Sequence, residues 1–193
     1  MTPATSELRP LLGETGAYRE GHFEIAEGQH VLSYYSCERL FQYPALASRA
    51  ADALYRAVSG VDADFVFTPS ISALTLAFEL ARRTSWQFAV HALPFTSSSY
   101  RFPEGTRVLV VEDVVVSGRS LAHARAWCGE RGAEVAAYGV LVDRRPEEGD
   151  LGGIRLIAGL RDPVRVFVPD ACPACRDAVP LVRVERNYPE GSA

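Results

Sequence analysis

The chain has no lysine: all 20 of its basic residues are arginines, among 193 positions. That excludes a phosphate loop built on Gly-Lys-Ser/Thr, and it excludes any lysine Schiff base. Long apolar runs are also missing, since none approaches the roughly 20 residues that a membrane helix needs. The first 13 residues lack the cationic start and apolar stretch of a signal peptide, so export is not expected and a cytoplasmic location is. Excess positive charge is absent too. A formal charge of −4 argues against a dedicated nucleic-acid binder, whose phosphate contacts want a clustered basic surface.

Cysteine is scarce, with Cys37, Cys128, Cys172 and Cys175. Only Cys172-Pro-Ala-Cys175 has metal-ligand spacing, and no second Cys-x-x-Cys or His-x-x-x-His pair completes a tetrahedral set. Cys172 and Cys175 therefore stand as candidate ligands of a metal shared across a dimer, or as a surface or redox pair. His22, His30 and His123 show no partner pattern and read as core or surface residues.

What is present suits one α/β domain spanning residues 1–193. Hydrophobic content is 48% and charged content 23%, ordinary values for a globular protein of this length. Residues 1–20 read as an irregular arm or a short helix, and 21–35 as a small hairpin broken at Glu27-Gly28. Helical spacing predicts helices over 44–58, opened by a proline, and over 72–83, opened by a serine cap. Strands are predicted over 64–68, 86–91, 107–111, 134–142 and 154–160, with 164–168 as a further candidate. Residues 92–103 form a loop, and a helix over 120–131 stops at Gly132. Strand and helix alternate, which predicts a twisted, mostly parallel sheet flanked by helices. The expected divisions are a small N-terminal hood over 1–40, a core over 41–170 and a tail over 171–193.

The most informative segment runs from Val108 to Ser120, VLVVEDVVVSGRS. A β-branched strand ends in two carboxylates, followed by a small-residue turn and a helix. In a parallel sheet, Glu112 and Asp113 then lie at the carboxyl edge, where open α/β folds bind ligands. The turn through Ser117, Gly118, Arg119 and Ser120 can aim backbone N–H groups and hydroxyls at a phosphate, with the positive end of the helix behind them. Carboxylates beside an anion cup suit a sugar phosphate: the acids accept hydrogen bonds from vicinal ribose hydroxyls while the cup holds the phosphate.

With these residues the chain resembles the type I phosphoribosyltransferases, and within them the orotate branch. The resemblance covers Gly21–Gly28 with Tyr34-Tyr35, the Thr68-Pro69 turn, the 108–120 signature, Gly139–Arg144, and the tail from Asp170 to Cys175 with Val179–Val182. It implies transfer of ribose 5-phosphate from phosphoribosyl pyrophosphate (PRPP) to a carboxylated heterocyclic base in pyrimidine nucleotide synthesis, with Mg²⁺ and a homodimer.

By the resemblance, Glu112 and Asp113 hold the ribose diol, and Val114, Val115, Val116, Ser117, Gly118, Arg119 and Ser120 wrap the 5′-phosphate. Ser70, Ile71 and Ser72 meet the pyrophosphate. Tyr34 and Tyr35 lie along the base, and Arg144 grips its carboxylate with a planar fork. The catalytic loop corresponds to 91–103, where His91 and Arg101 are the candidate catalytic residues. Family lysines fall on Ala26 and Ser72, the loop lysine has no counterpart, and the acceptor-contacting threonine falls on Val116. These departures open two alternatives: a silent PRPP- or nucleotide-binding paralogue serving as sensor or pseudo-subunit, and a transferase with a different acceptor.

Overall fold

The computed structural model describes residues 3–25, 28–91 and 102–184. Arg101, most of the predicted 92–103 loop and Ala26 lie outside the described residues. Five parallel strands form the main sheet in the order β4-β3-β5-β6-β7. They are β3 (Phe65–Thr68), β4 (Gln87–Val90), β5 (Arg107–Val115), β6 (Glu134–Asp143) and β7 (Leu156–Arg161). The central three are apolar on both faces, as strands covered on both sides must be. Along β5, Leu109 and Val111 enter the core under α1 (Pro3–Glu14), α3 (Pro44–Val58) and α4 (Leu74–Thr84). Val108 and Val110 point the other way, into a second core under α5 (Arg119–Gly129). Strand alternation thus assigns each side chain to one of two helical layers.

Alanines at 47, 50, 51 and 53 of α3 are all buried, which lets that helix approach the sheet closely. Pro44 opens it at a position where a missing N–H costs nothing. The helix expected over 72–83 begins at Leu74, and Ala73 rather than a serine is its cap residue. The Ser72 hydroxyl is instead committed to Asp113. Strand β5 runs four residues beyond the expected 111, so Glu112 and Asp113 lie within it and not past its end. Pairing with the long β6 continues to Val115↔Asp143 and carries the strand outward.

A second, three-stranded sheet covers one end, in the order β2-β1-β8. Strands β1 (Tyr18–Glu24) and β2 (His30–Tyr35) form the expected hairpin, followed by a short α2 (Cys37–Phe41). The third strand, β8 (Leu181–Arg183), comes from the tail and pairs parallel to β1. The arm over 1–20 resolves into α1 and the start of β1. Residues 164–168 form no regular strand; Phe167 makes one antiparallel bridge to His30.

The hood has its own small core of Phe23, Val31 and Val164. Beside it, His22 and His30 are buried, and they do have partners: Cys172 and Cys175. The reading of these histidines as residues without partners is corrected here. The partners lie about 150 positions away in sequence, where spacing gives no sign of them.

Candidate functional site

The carboxyl ends of β3 and β5 carry the site. Alternation sends Glu112 toward α5 and Asp113 toward the hood, yet both carboxylates are bonded to the turn after β3. The Ser70 hydroxyl donates to Glu112 Oε2 at 2.6 Å, and the Ser72 hydroxyl donates to Asp113 Oδ1 at 3.1 Å. Thr68 Oγ1 donates to the Ser70 carbonyl, and Ser70 Oγ accepts the Ala73 N–H, which closes the turn. Ile71 sits half-exposed at its tip. Sequence reasoning placed Ser70 and Ser72 beside a pyrophosphate; the structure brings their hydroxyls directly onto the acids.

Glu112 is 4% exposed and Asp113 8%. Burial, and then the neighbouring Asp113 charge, push the Glu112 carboxyl up to about 7. Burial raises Asp113 to about 6, and the nearby Glu38 charge adds to that rise. The Val114 N–H and the Ser72 hydroxyl work against it by stabilising the anion. The Ser120 hydroxyl lies near enough to Glu112 to favour its anion as well. The acid therefore faces the bend that follows its own strand.

That bend is shaped by Gly118, whose φ of 78° lies in the left-handed region. A Cβ there would also stand 2.6 Å from Leu151 Cδ2. The left-handed backbone therefore favours glycine, and any side chain there would also have to push the tip of Leu151 aside. Ser117, Arg119 and Ser120 are exposed around it, and α5 starts at Arg119. The Arg119 N–H reaches Ser117 Oγ at 3.5 Å, while Gly118 caps the helix without a side chain. The result is an open cup at a helix N-terminus, the arrangement that favours anions.

On the hood side, Tyr34 packs with its ring tilted against Phe23, centroids 5.7 Å apart, and Val116 joins it against the same small core. Burial raises its hydroxyl to about 12, with smaller contributions from the Glu38 and Asp113 charges. Tyr34 thus lies within reach of the Asp113 charge. Strand alternation turns Tyr35 to the opposite face of β2. The Tyr35 hydroxyl donates to Asp162 at 2.9 Å, and the Arg144 guanidinium lies over its ring at 4.9 Å. Arg144, 3% exposed, donates to the Ser33 carbonyl at 2.8 Å and to the Ser33 hydroxyl at 2.6 Å. In this arrangement its fork is occupied by Ser33, which ties the hood to the end of β6. Asp162, which also takes Arg9 at 2.7 Å, had no signal in sequence beyond its charge.

His91, just past β4, stacks on Trp127 of α5 with centroids 4.6 Å apart. Its Nδ1 is buried with no hydrogen-bond partner among the described residues. Burial, with the Arg131 charge, holds its pKa below the usual imidazole value. Phe67, Pro69, His91, Ser120, His123 and Trp127 line a cleft of about 240 Å³ that adjoins the bend. His123, which sequence reading left without a role, is one of its walls.

No family model matches the chain. Similarity to individual proteins is extensive. An orotate phosphoribosyltransferase of Caldicellulosiruptor bescii is 34% identical over 178 residues, covering 90% of this chain and 93% of that protein. Another from Desulforamulus reducens is 30% identical over 181 residues, covering 92% and 94%. Among solved structures, the orotate phosphoribosyltransferase of Aeropyrum pernix superposes with a TM-score of 0.69 at 27% identity, over 80% of this chain and 93% of that one. With this extent of identity, and with the acid pair set beside the glycine bend, the chain belongs to the orotate phosphoribosyltransferase family.

Proposed function

We propose that the chain binds PRPP and transfers its ribose 5-phosphate to a carboxylated nitrogen heterocycle of the orotate type. The observation that carries this reading is the acid pair: two buried carboxylates, held by serine hydroxyls, beside an open anion cup at Gly118. Vicinal hydroxyls of a pentose would donate to Glu112 and Asp113, replacing Ser70 and Ser72 as donors. The 5′-phosphate would take the N–H groups and hydroxyls of residues 117–120. The freed serine hydroxyls then face the pyrophosphate.

In the reaction, the C1′–O bond to pyrophosphate breaks and its electron pair leaves with the phosphate oxygen. The ring nitrogen of the acceptor forms the new C1′–N bond and sheds its proton to solvent or to a nearby base. Ionised Glu112 and Asp113 lie beside the sugar, where positive charge develops. Tyr34 provides an aromatic face for the flat acceptor. Arg144 takes the acceptor's carboxylate by exchanging Ser33 for it, a swap of one planar hydrogen-bond pair for another.

The oxygen-only donor set of Glu112, Asp113, Ser70 and Ser72 suits Mg²⁺, a hard cation usually held by one or two carboxylates together with substrate phosphates. Bound there, it would neutralise charge on the departing pyrophosphate. A cytoplasmic homodimer is part of the same reading; no described helix is long and apolar enough to cross a membrane.

One observation favours a second reading, the silent PRPP-binding paralogue. The chain has no lysine, hence no ammonium side chain to meet the leaving pyrophosphate. Loss of one preorganised donor in such a site costs about 3–4 kcal/mol, on the order of 100-fold or more in rate. Calorimetric titration with PRPP and Mg²⁺, followed by the absorbance change of orotate, separates the readings. Binding with turnover supports the transferase, and binding without turnover supports the paralogue. No binding removes both.

A further inference from the structure

We propose that His22, His30, Cys172 and Cys175 form a closed, four-ligand zinc site that fastens the hood to the tail. It is independent of the PRPP pocket. The four ligand atoms lie within 4.8 Å of one another. His22 Nε2 is 2.9 Å from His30 Nδ1, 3.5 Å from Cys172 Sγ and 3.6 Å from Cys175 Sγ, and Cys175 Sγ is 3.2 Å from His30 Nδ1. Tetrahedral zinc, with bonds of about 2.0–2.1 Å to nitrogen and about 2.3 Å to sulfur, requires ligand–ligand edges of roughly 3.3–3.8 Å. Shifts of a few tenths of an ångström take these four separations to that figure, and the widest edge of the set, at up to 4.8 Å, closes by about 1 Å as the ion draws the ligands in.

The backbone prepares the site. Cys172 caps the short α6 (Pro173–Arg176) and Cys175 lies within it, so the two thiols emerge on one side. His30 is fixed by main-chain hydrogen bonds in both directions with Phe167. The second nitrogen of His22, Nδ1, is 2.9 Å from the Val179 carbonyl. A proton on Nδ1 donates there and leaves the Nε2 lone pair pointing into the cluster, the outer-shell arrangement that orients metal-bound imidazoles. His22, His30 and Cys172 are buried. Cys175 is exposed and marks the way in.

Two thiolates and two imidazoles select zinc over a hard cation such as Mg²⁺. Binding breaks two S–H bonds, releases two protons to solvent and forms two Zn–S bonds, with no change in oxidation state. All four positions are filled by protein, which makes the site structural rather than catalytic. The need is visible in the packing. Among the described residues the hood core buries Phe23, Val31 and Val164, and the sheet takes its third strand from the tail about 150 positions away. A small core of that kind gains from a metal staple.

The test uses the full chain, purified without a metal-affinity step under anaerobic, reducing conditions. Metal analysis should give one zinc per chain. After chelator treatment, titration with Co²⁺ should produce a sulfur-to-cobalt charge-transfer band and tetrahedral visible bands that saturate at one equivalent. Cys175→Ser, at the exposed position, should keep the fold by circular dichroism and lose the charge-transfer intensity and the stoichiometric zinc. His22→Asn should do the same. Chelator should lower the melting temperature of the parent protein and leave that of Cys175→Ser unchanged. A reduced parent protein that takes up neither zinc nor cobalt would overturn the proposal, as would equal uptake by Cys175→Ser. A Cys172–Cys175 disulfide that persists in place of metal would also overturn it.

Discussion

Ser70 and Glu112, 42 positions apart in the chain, meet through a hydroxyl-to-carboxylate hydrogen bond of 2.6 Å. That bond joins the turn after β3 to the end of β5, and with Ser72–Asp113 it sets the geometry of the whole pocket floor. Its energetic character follows from burial: an acid enclosed this fully resists ionisation.

Stability should therefore fall as pH rises. Both acids have folded pKa values above their unfolded ones, with Glu112 near 7 against 4.5 and Asp113 near 6 against 3.8. Their contribution is fully present below about pH 4 and is lost as pH climbs through 6 and 7. Melting temperature measured from pH 5 to pH 8 should decline in the unliganded protein. The decline should flatten in a Glu112→Gln/Asp113→Asn double variant, whose titration is removed. An identical slope in both proteins would contradict the assignment.

Donor binding should show the opposite dependence. Diol hydroxyls and Mg²⁺ both want the ionised acids, so PRPP affinity should rise between pH 5.5 and pH 8, measured calorimetrically at fixed Mg²⁺. Asp113→Asn should lower affinity at least about tenfold at pH 8, the scale of one charge-assisted hydrogen bond.

Gly118→Ala should cost about 1–2 kcal/mol from the left-handed backbone alone, with a further penalty from the contact with Leu151 at 2.6 Å. In a Leu151→Ala background the second part should vanish while the first remains. Chemical denaturation of the four proteins in that cycle reads the difference directly. Phosphate-end binding should be lost in both glycine variants.

Arg144→Ala should weaken orotate binding at least about tenfold and lower stability by about 1–3 kcal/mol, because the Ser33 groups it satisfies are left unpaired. Ser33→Ala removes only the hydroxyl contact, so orotate affinity should hold or improve. If Arg144→Ala binds orotate normally, its buried position serves the hood alone.

The sheet, its helices and the acid pair were legible because each is written locally. The Val108–Val111 run requires burial on both faces, and the Glu-Asp pair with its Ser-Gly turn follows directly. The division of β5 between two cores also follows from period-two alternation. The relations that sequence hid are those set by distant pairing. Nothing near Arg144 announces Ser33, 111 positions away, so the bond of this guanidinium to the hood goes unread. Cys172 and Cys175 looked like half a set because His22 and His30 come from the opposite end of the chain. Tyr34 and Tyr35 read as a pair, but adjacent residues on a strand face apart: Tyr34 packs with Phe23 while Tyr35 bonds Asp162.

The hairpin that overlies the pocket is finished by a strand from residues 181–183. The strands of the five-stranded floor lie between these partners in chain order, so during synthesis the floor is made before the hairpin can gain its third strand. The roof of the pocket is therefore completed after its floor, whatever order the rest of the chain folds in.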